Sequence, residues 1–273
     1  MKTNISLGSK VFKQILHQLR LHDVIECKTN EVETTLLNSG ALNQAFKLKT
    51  TQKTILLKVF SDIESVPVDR TGIFKLQEEL AILGLAPKPI YLSQNKRIYC
   101  EEWLSRAHTG SNKLDLSNKI DMLAESLHNI HSSFVSVPVL PLLQHWEVYW
   151  QQIDSPSDDL CAQYKQMKLT WQDLLKHHES DFVLCHNDLH LDHVVSPQGP
   201  FYDWEYAAKG CRYFDIANCA SINDFDDKTL IELCHSYAHL SNLKASQVEQ
   251  NVFRVKDVVA FTNYLWHQSL GIE

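Results

Sequence analysis

Apolar and polar positions follow one rhythm in the first hundred residues and another afterwards. Ala45–Lys49 and Thr54–Phe60 alternate with the period of two expected of strands, and the polar turn Thr50–Lys53 between them predicts a hairpin. A loop of small residues runs from Asn38 to Asn43 ahead of it. A helical pattern from Ile73 to Leu83 meets Gly84 and then Pro87, a stop signal, and two further strands are predicted at Pro89–Leu92 and Arg97–Trp103. Beyond Trp103 apolar residues recur at helical spacing in Ile120–Ile130, Leu142–Trp150, Lys228–Leu243 and Val248–Leu270. A second hairpin, with Pro197–Pro200 as its turn, interrupts those helices. The change of rhythm predicts a tight hinge between Cys100 and Ser105. Residues 1–101 then form a small sheet-and-helix lobe and residues 102–273 a mainly helical one. The mixed stretch Lys10–Arg20 predicts a surface helix and lacks the continuous apolar run of a signal peptide.

The second hairpin carries the strongest chemical signal. The run Val183–Cys185 leads through His186 to Asp188, and the run Phe201–Tyr202 leads directly to Asp203, so two isolated carboxylates end apolar segments fifteen positions apart. Transfer of a phosphoryl group needs a base to orient a hydroxyl, a hard oxygen ligand for a metal and a cation on the donor phosphates. Asp188 and Asp203 suit the first two tasks. Lys58, a charge set within the apolar run Ile55–Phe60, suits the third, since a lysine there needs an anionic partner.

Bulk composition narrows the picture in three ways. A chain of 273 residues with 44% hydrophobic and 22% charged positions is an ordinary globular protein, and no apolar run reaches the roughly 18 residues a membrane span requires. The net charge of -7, without a basic block, argues against a nucleic-acid partner and suits a small cationic one. Seven cysteines without a C-x-x-C pair indicate reduced thiols and predict a cytoplasmic protein. Oligomeric state is not legible.

The stretch His186–His193 resembles the H-x-D-x-x-x-x-N catalytic loop of the aminoglycoside phosphotransferase and choline kinase superfamily. Asp203–Tyr206 resembles the D-[FW]-E-Y that follows it in choline, ethanolamine and thiamine kinases, and Arg212–Asn218 is similar to their F-D-[IL]-A segment. Ser39–Phe46 is similar to the nucleotide loop, Ile98–Trp103 to the hinge, and Leu140–Asp154 to a stretch of bacterial thiamine kinases. The resemblance spans about residues 36 to 220. It implies an α+β, two-lobed protein-kinase-like fold and a kinase using ATP and Mg2+ on the hydroxyl of a small, cationic alcohol. It also implies site residues: Asp188 as catalytic base; Ser39, Gly40, Asn43, Lys58, Glu102 and Trp103 around the nucleotide; and Glu79, or its neighbour Glu78, as the helix glutamate that pairs with Lys58. Asp203 would hold the metal.

His193 departs from the family pattern, standing where an asparagine metal ligand is expected. Imidazole favours softer ions, so three outcomes are open: His193 ligates a metal such as Mn2+, Asp192 substitutes for it, or the chain binds nucleotide with poor turnover. His186, His190 and His193 also admit a zinc-site reading. Trp146, Tyr149, Trp150, Leu142 and Leu143 share one helical stripe, which fits either core or, for some of its rings with Glu205 or Trp204, a box for a cationic substrate. An antibiotic phosphotransferase is the alternative enzyme class, disfavoured by the few acidic residues after Lys244.

Overall fold

Alternation along the sheet decides which residues meet the cleft. The computed structural model describes residues 9–26, 31–39, 43–61, 68–105, 114–177 and 181–271. Strands β1 (Glu33–Ser39), β2 (Asn43–Lys49), β3 (Thr54–Phe60), β4 (Pro89–Leu92) and β5 (Ile98–Glu102) form an antiparallel sheet in the order β1-β2-β3-β5-β4. One face carries Phe46, Leu48, Ile55, Leu57, Ile98 and Cys100, which bury against Phe12, Ile15, Leu16 and Leu19 of α1 (Ser9–Leu21). Side chains on a strand alternate faces, so Leu56, Lys58, Tyr99 and Glu101 turn the other way. There Tyr99 and Glu101 meet α2 (Arg70–Ile82), whose N-cap Asp69 accepts a hydrogen bond from Thr71 N at 3.2 Å, while Leu56 packs on Val195 and Tyr202. Gly84, at φ +75°, closes α2 in the left-handed conformation that helix ends favour.

The second lobe contains helices α3 (Leu116–His131), α4 (Leu142–Trp150), α5 (Asp158–His177), α6 (Arg212–Ile222), α7 (Asp227–Leu240) and α8 (Ala245–Ser269). A single apolar core joins them, with Trp146, Tyr213, Tyr237 and Phe201 among its largest buried side chains. Leu76, Leu80, Leu85 and Ala86 of the first lobe belong to the same core, so α2 is anchored in both. Phe201 N donates to Leu85 O at 2.7 Å, and Gly199 approaches Gly84 so closely that a Cβ would lie 2.7 Å from the Gly84 carbonyl oxygen. Among the described residues no helix is long and apolar enough to cross a membrane.

The second hairpin is more elaborate than its sequence suggests. Its paired strands are β6 (Phe182–Cys185) and β7 (Ala208–Cys211), and everything between them is an excursion closed by one inner bridge, Val194 to Phe201. Asp188 and Asp203 lie on that excursion. The sheet lobe and helical lobe are those of a two-lobed kinase-like α+β fold.

Candidate active site

Three side chains from the excursion converge on the sheet. Lys58, 8% exposed in mid-strand, extends its Nζ to Asp203 Oδ1 at 2.6 Å. Asp203 Oδ2 faces His193 Nε2 at 3.8 Å, and single donor atoms of Asp188, His193 and Asp203 all lie within 4.8 Å of one another. Both residues that aim the carboxylates are left-handed: Asn187, immediately before Asp188, has φ 60°, and Asp203 itself has φ 68°. Asn and Asp tolerate this region better than other non-glycine residues, which explains their placement at the two sharpest turns.

Buried polar groups of α3 and α6 hold the loop in that shape. Asp215, fully buried in the first turn of α6, accepts from His186 N at 2.9 Å, Asn187 N at 2.7 Å and His131 Nε2 at 3.1 Å. Asn218 donates to Asn187 O at 2.7 Å, while Asn223 donates to Leu189 O at 3.0 Å and accepts from Leu191 N at 2.9 Å. Loop backbone without a ladder partner thus finds partners on one helix. The short apolar run of α6 hid this role, because eight of its eleven residues are buried and no helical stripe stands out.

Charge is finely divided within the cluster. Burial works against the Lys58 ammonium, but the carboxylates of Asp203, Glu101 and Glu205 outweigh it and hold the lysine above its usual range. Burial would likewise raise the Asp203 carboxyl; Lys58 and the neighbouring histidines overcome it and bring it down to about 2. Asp188 goes the other way, raised by burial and by the Asp203 and Glu205 carboxylates. Glu205 is pushed up to about 7 by burial and Asp203. Burial lowers His193 to about 4, so its ring is neutral at physiological pH. His193 Nδ1 lies 2.8 Å from the Asp188 carbonyl, which can only accept, so Nδ1 carries the proton. Nε2 therefore presents a lone pair to the Asp203 carboxylate, a donor set that fits a shared divalent cation.

A cavity of about 590 Å³ opens beside these groups. Asn43, at the start of β2, and Asp188, His193, Asp203 and Glu205 form its inner wall; Tyr149, Tyr206, Trp266 and Asp224 are among its outer lining. Trp266 Nε1 is buried without a hydrogen-bond partner. A separate small apolar cluster of buried Leu56, Val195 and Tyr202, with Ala45, Trp103 and Leu104 packed on it, joins residues of the two lobes.

Several expected site residues stand elsewhere. Glu78 and Glu79 are exposed, and the α2 residue that faces the sheet is Gln77, because one helical position separates the buried and solvated faces. Lys58 instead bonds Asp203. Asp192 is turned toward His190, 3.9 Å from its Nδ1, and is not part of the Asp188–His193–Asp203 group. Trp146 is core, fully buried with Nε1 donating to Thr262 Oγ1, and Trp150 packs on Tyr164 at 4.5 Å between centroids. Trp204 is buried with Nε1 bonded to Phe201 O, and it lines a small cavity behind Lys58 instead of the large one. Of the box, Tyr149 and Glu205 line the large cavity. The amides of Glu102 and Trp103 are already bonded to Lys88 O and Thr54 O, and the Trp103 side chain packs on the apolar cluster of Leu56, Val195 and Tyr202. Ser39 ends β1, with Gln44 as its ladder partner; Gly40 lies outside the described residues. His186 bonds Tyr202 O through Nε2 and His193 bonds Asp188 O, so among the described residues the three histidines do not converge as a zinc site.

The family model of the phosphotransferase enzyme family (APH) matches residues 33–246. Choline kinase LicA from Streptococcus pneumoniae is 22% identical, with a TM-score of 0.69 over 94% of this chain and 90% of that one, and has also been solved with AMP. Plasmodium vivax ethanolamine kinase is 15% identical, with a TM-score of 0.71 over 100% of this chain and 86% of that one. The macrolide 2'-phosphotransferase MphH from Brachybacterium faecium is 12% identical, with a TM-score of 0.60 over 95% and 93%. No curated protein sequence matches the chain.

Proposed function

Because the chain belongs to the phosphotransferase enzyme family, we propose that it transfers a phosphoryl group from ATP to the hydroxyl of a small cationic alcohol of the choline, ethanolamine or thiamine type. The observation that carries this reading is the meeting of Asp188, His193 and Asp203 on the wall of a cavity lined by carboxylates and aromatic rings, with Lys58 bonded to Asp203.

Asp188 is the residue that orients the acceptor hydroxyl. Its carboxyl is raised, which strengthens it as a proton acceptor, and it borders the cavity into which an alcohol would reach. Lys58 supplies positive charge for the donor phosphates, and Asn43 borders the same space from β2. The apolar cluster of Leu56, Val195, Tyr202, Ala45 and Trp103 at the lobe junction supplies the hydrophobic side chains on which a purine ring would pack. Asp203 and neutral His193 would hold the divalent ion, which when bound offsets charge on the phosphate oxygens. The imidazole donor shifts the preference of this pair from Mg2+ toward Mn2+. Glu205, Asp224, Tyr149 and Trp266 give the acceptor end negative charge and aromatic faces, which suits a quaternary or ring nitrogen cation.

An ADP-release assay with choline, ethanolamine, thiamine and kanamycin, run in Mg2+ and in Mn2+, tests the proposal. Turnover with one of the first three supports it. Turnover with kanamycin alone favours an antibiotic phosphotransferase, and no turnover with any acceptor in either metal rejects the activity.

A further inference from the structure

We infer that Glu101 is the positioning residue that receives the Lys58 ammonium when Asp203 is given over to a metal-bound nucleotide, an assignment that rests on the phosphotransferase reading above. In the structure Lys58 is held by Asp203 at 2.6 Å, and the other oxygen of that carboxylate faces the His193 lone pair. A carboxylate that ligates a divalent cation shares its negative charge with the metal, so its ion pair with an ammonium weakens and the two positive charges repel. Lys58 therefore needs a second anion.

The expected helix glutamate is absent from this position, because α2 turns Gln77 inward and leaves Glu78 and Glu79 in solvent. Strand β5 supplies the charge instead. Tyr99 is the ladder partner of Lys58, and Glu101, two residues on, shares its face of the sheet. Glu101 is 1% exposed; its Oε2 accepts from Gln77 Nε2 at 2.5 Å and lies 2.9 Å from the Tyr99 hydroxyl, whereas Oε1 has no partner. A buried, fixed carboxylate with an idle oxygen is costly unless a cation completes it. Lys58, Gln77, Tyr99, Glu101 and Asp203 line one cavity of about 30 Å³, above the roughly 10–15 Å³ that a water-sized group needs and so room for an ammonium group to shift. The remaining carboxylate on that cavity, Glu205, also borders the acceptor space.

The test is Glu101→Gln, which keeps shape and the Gln77 contact, beside the exchanged pair Gln77→Glu with Glu101→Gln, which moves the same charge onto α2. Binding of Mg2+·ADP is followed by calorimetry, melting temperature reports folding, and KM is measured separately for ATP and for the alcohol. Glu101→Gln should weaken Mg2+·ADP at least tenfold and raise the ATP KM in step, with the alcohol KM within twofold; the exchanged pair should recover most of the loss. Wild-type-like binding by Glu101→Gln overturns the assignment, as does an exchanged pair that melts normally yet binds no better than the single variant. If Glu101→Gln does not fold, the exchanged pair set against wild type decides alone. Wild-type protein that binds Mg2+·ADP but phosphorylates no alcohol rejects the proposed activity and leaves Glu101 standing; wild type that binds no nucleotide rejects both.

Discussion

Replacing Asp215 by asparagine removes one charge and no volume from the group that shapes the catalytic loop. Asp215 Oδ2 accepts from His186 N and His131 Nε2, and Oδ1 accepts from Asn187 N, all within a site of zero exposure. Whichever way the new amide turns, an NH2 group replaces one oxygen and confronts an N–H donor. The better orientation keeps its oxygen at the doubly bonded place, so the Asn187 N–H loses its partner and the other two bonds become neutral. Hydrogen bonds to a charged group contribute roughly 1.5–3 kcal/mol against about 1 for neutral ones, so the change should cost about 2–4 kcal/mol. Urea unfolding at pH 7 measures it. The carboxyl of Asp215 resists burial and is held below its usual range by His131, His186 and the loop amides. A depressed folded value means that this stabilisation is present above the unfolded carboxyl pKa of about 3.9 and disappears as pH falls below it. The gap between wild type and Asp215→Asn should therefore be full from pH 5 to 7 and close below about pH 4. Asn187 directly precedes Asp188, and a displacement of about 1 Å there should reduce kcat on the order of a hundredfold. A gap under about 0.5 kcal/mol, typical of neutral surface changes, or one that is unchanged between pH 3 and 7, refutes the account.

Three further outcomes follow from the site. Trp266→Leu should raise the acceptor KM about tenfold, a cation–π loss of about 1–2 kcal/mol, and leave the ATP KM unchanged; Trp150→Leu, which touches Tyr164 and not the cavity, should leave both KM values alone. Glu205, raised to about 7, is protonated at pH 6 and ionised at pH 8, so the KM of a permanently cationic acceptor should fall as pH rises through 7; in Glu205→Gln a surviving slope of the same size would show that another group sets it. His193→Asn should move metal preference toward Mg2+, seen as weaker Mn2+ binding by electron paramagnetic resonance as well as in turnover; unchanged Mn2+ affinity would remove His193 from the ligand set.

Legibility in the sequence tracked how local each feature is. Lys58, Asp188 and Asp203 stood out because each is a charge ending or interrupting an apolar run, and the structure brings all three together. Gln77 and Glu101 did not, since the pairing of β3 with β5 that sets Glu101 near Lys58 is a long-range register that neither strand encodes alone. The helical stripe containing Trp146 and Trp150 is real, but its direction is set by α8 packing, which claims Trp146 for the core through Thr262 and Phe261. The acceptor wall on α8 was hidden for the opposite reason: Thr262, Asn263, Trp266 and His267 form a mixed face that only the assembled cavity makes meaningful.

The Leu85–Phe201 bond and the Gly84–Gly199 contact join the end of α2 to the turn of the second hairpin. They act as a rivet of backbone on backbone, with no room left between the plates: any side chain added at Gly199 would have to prise the two segments apart.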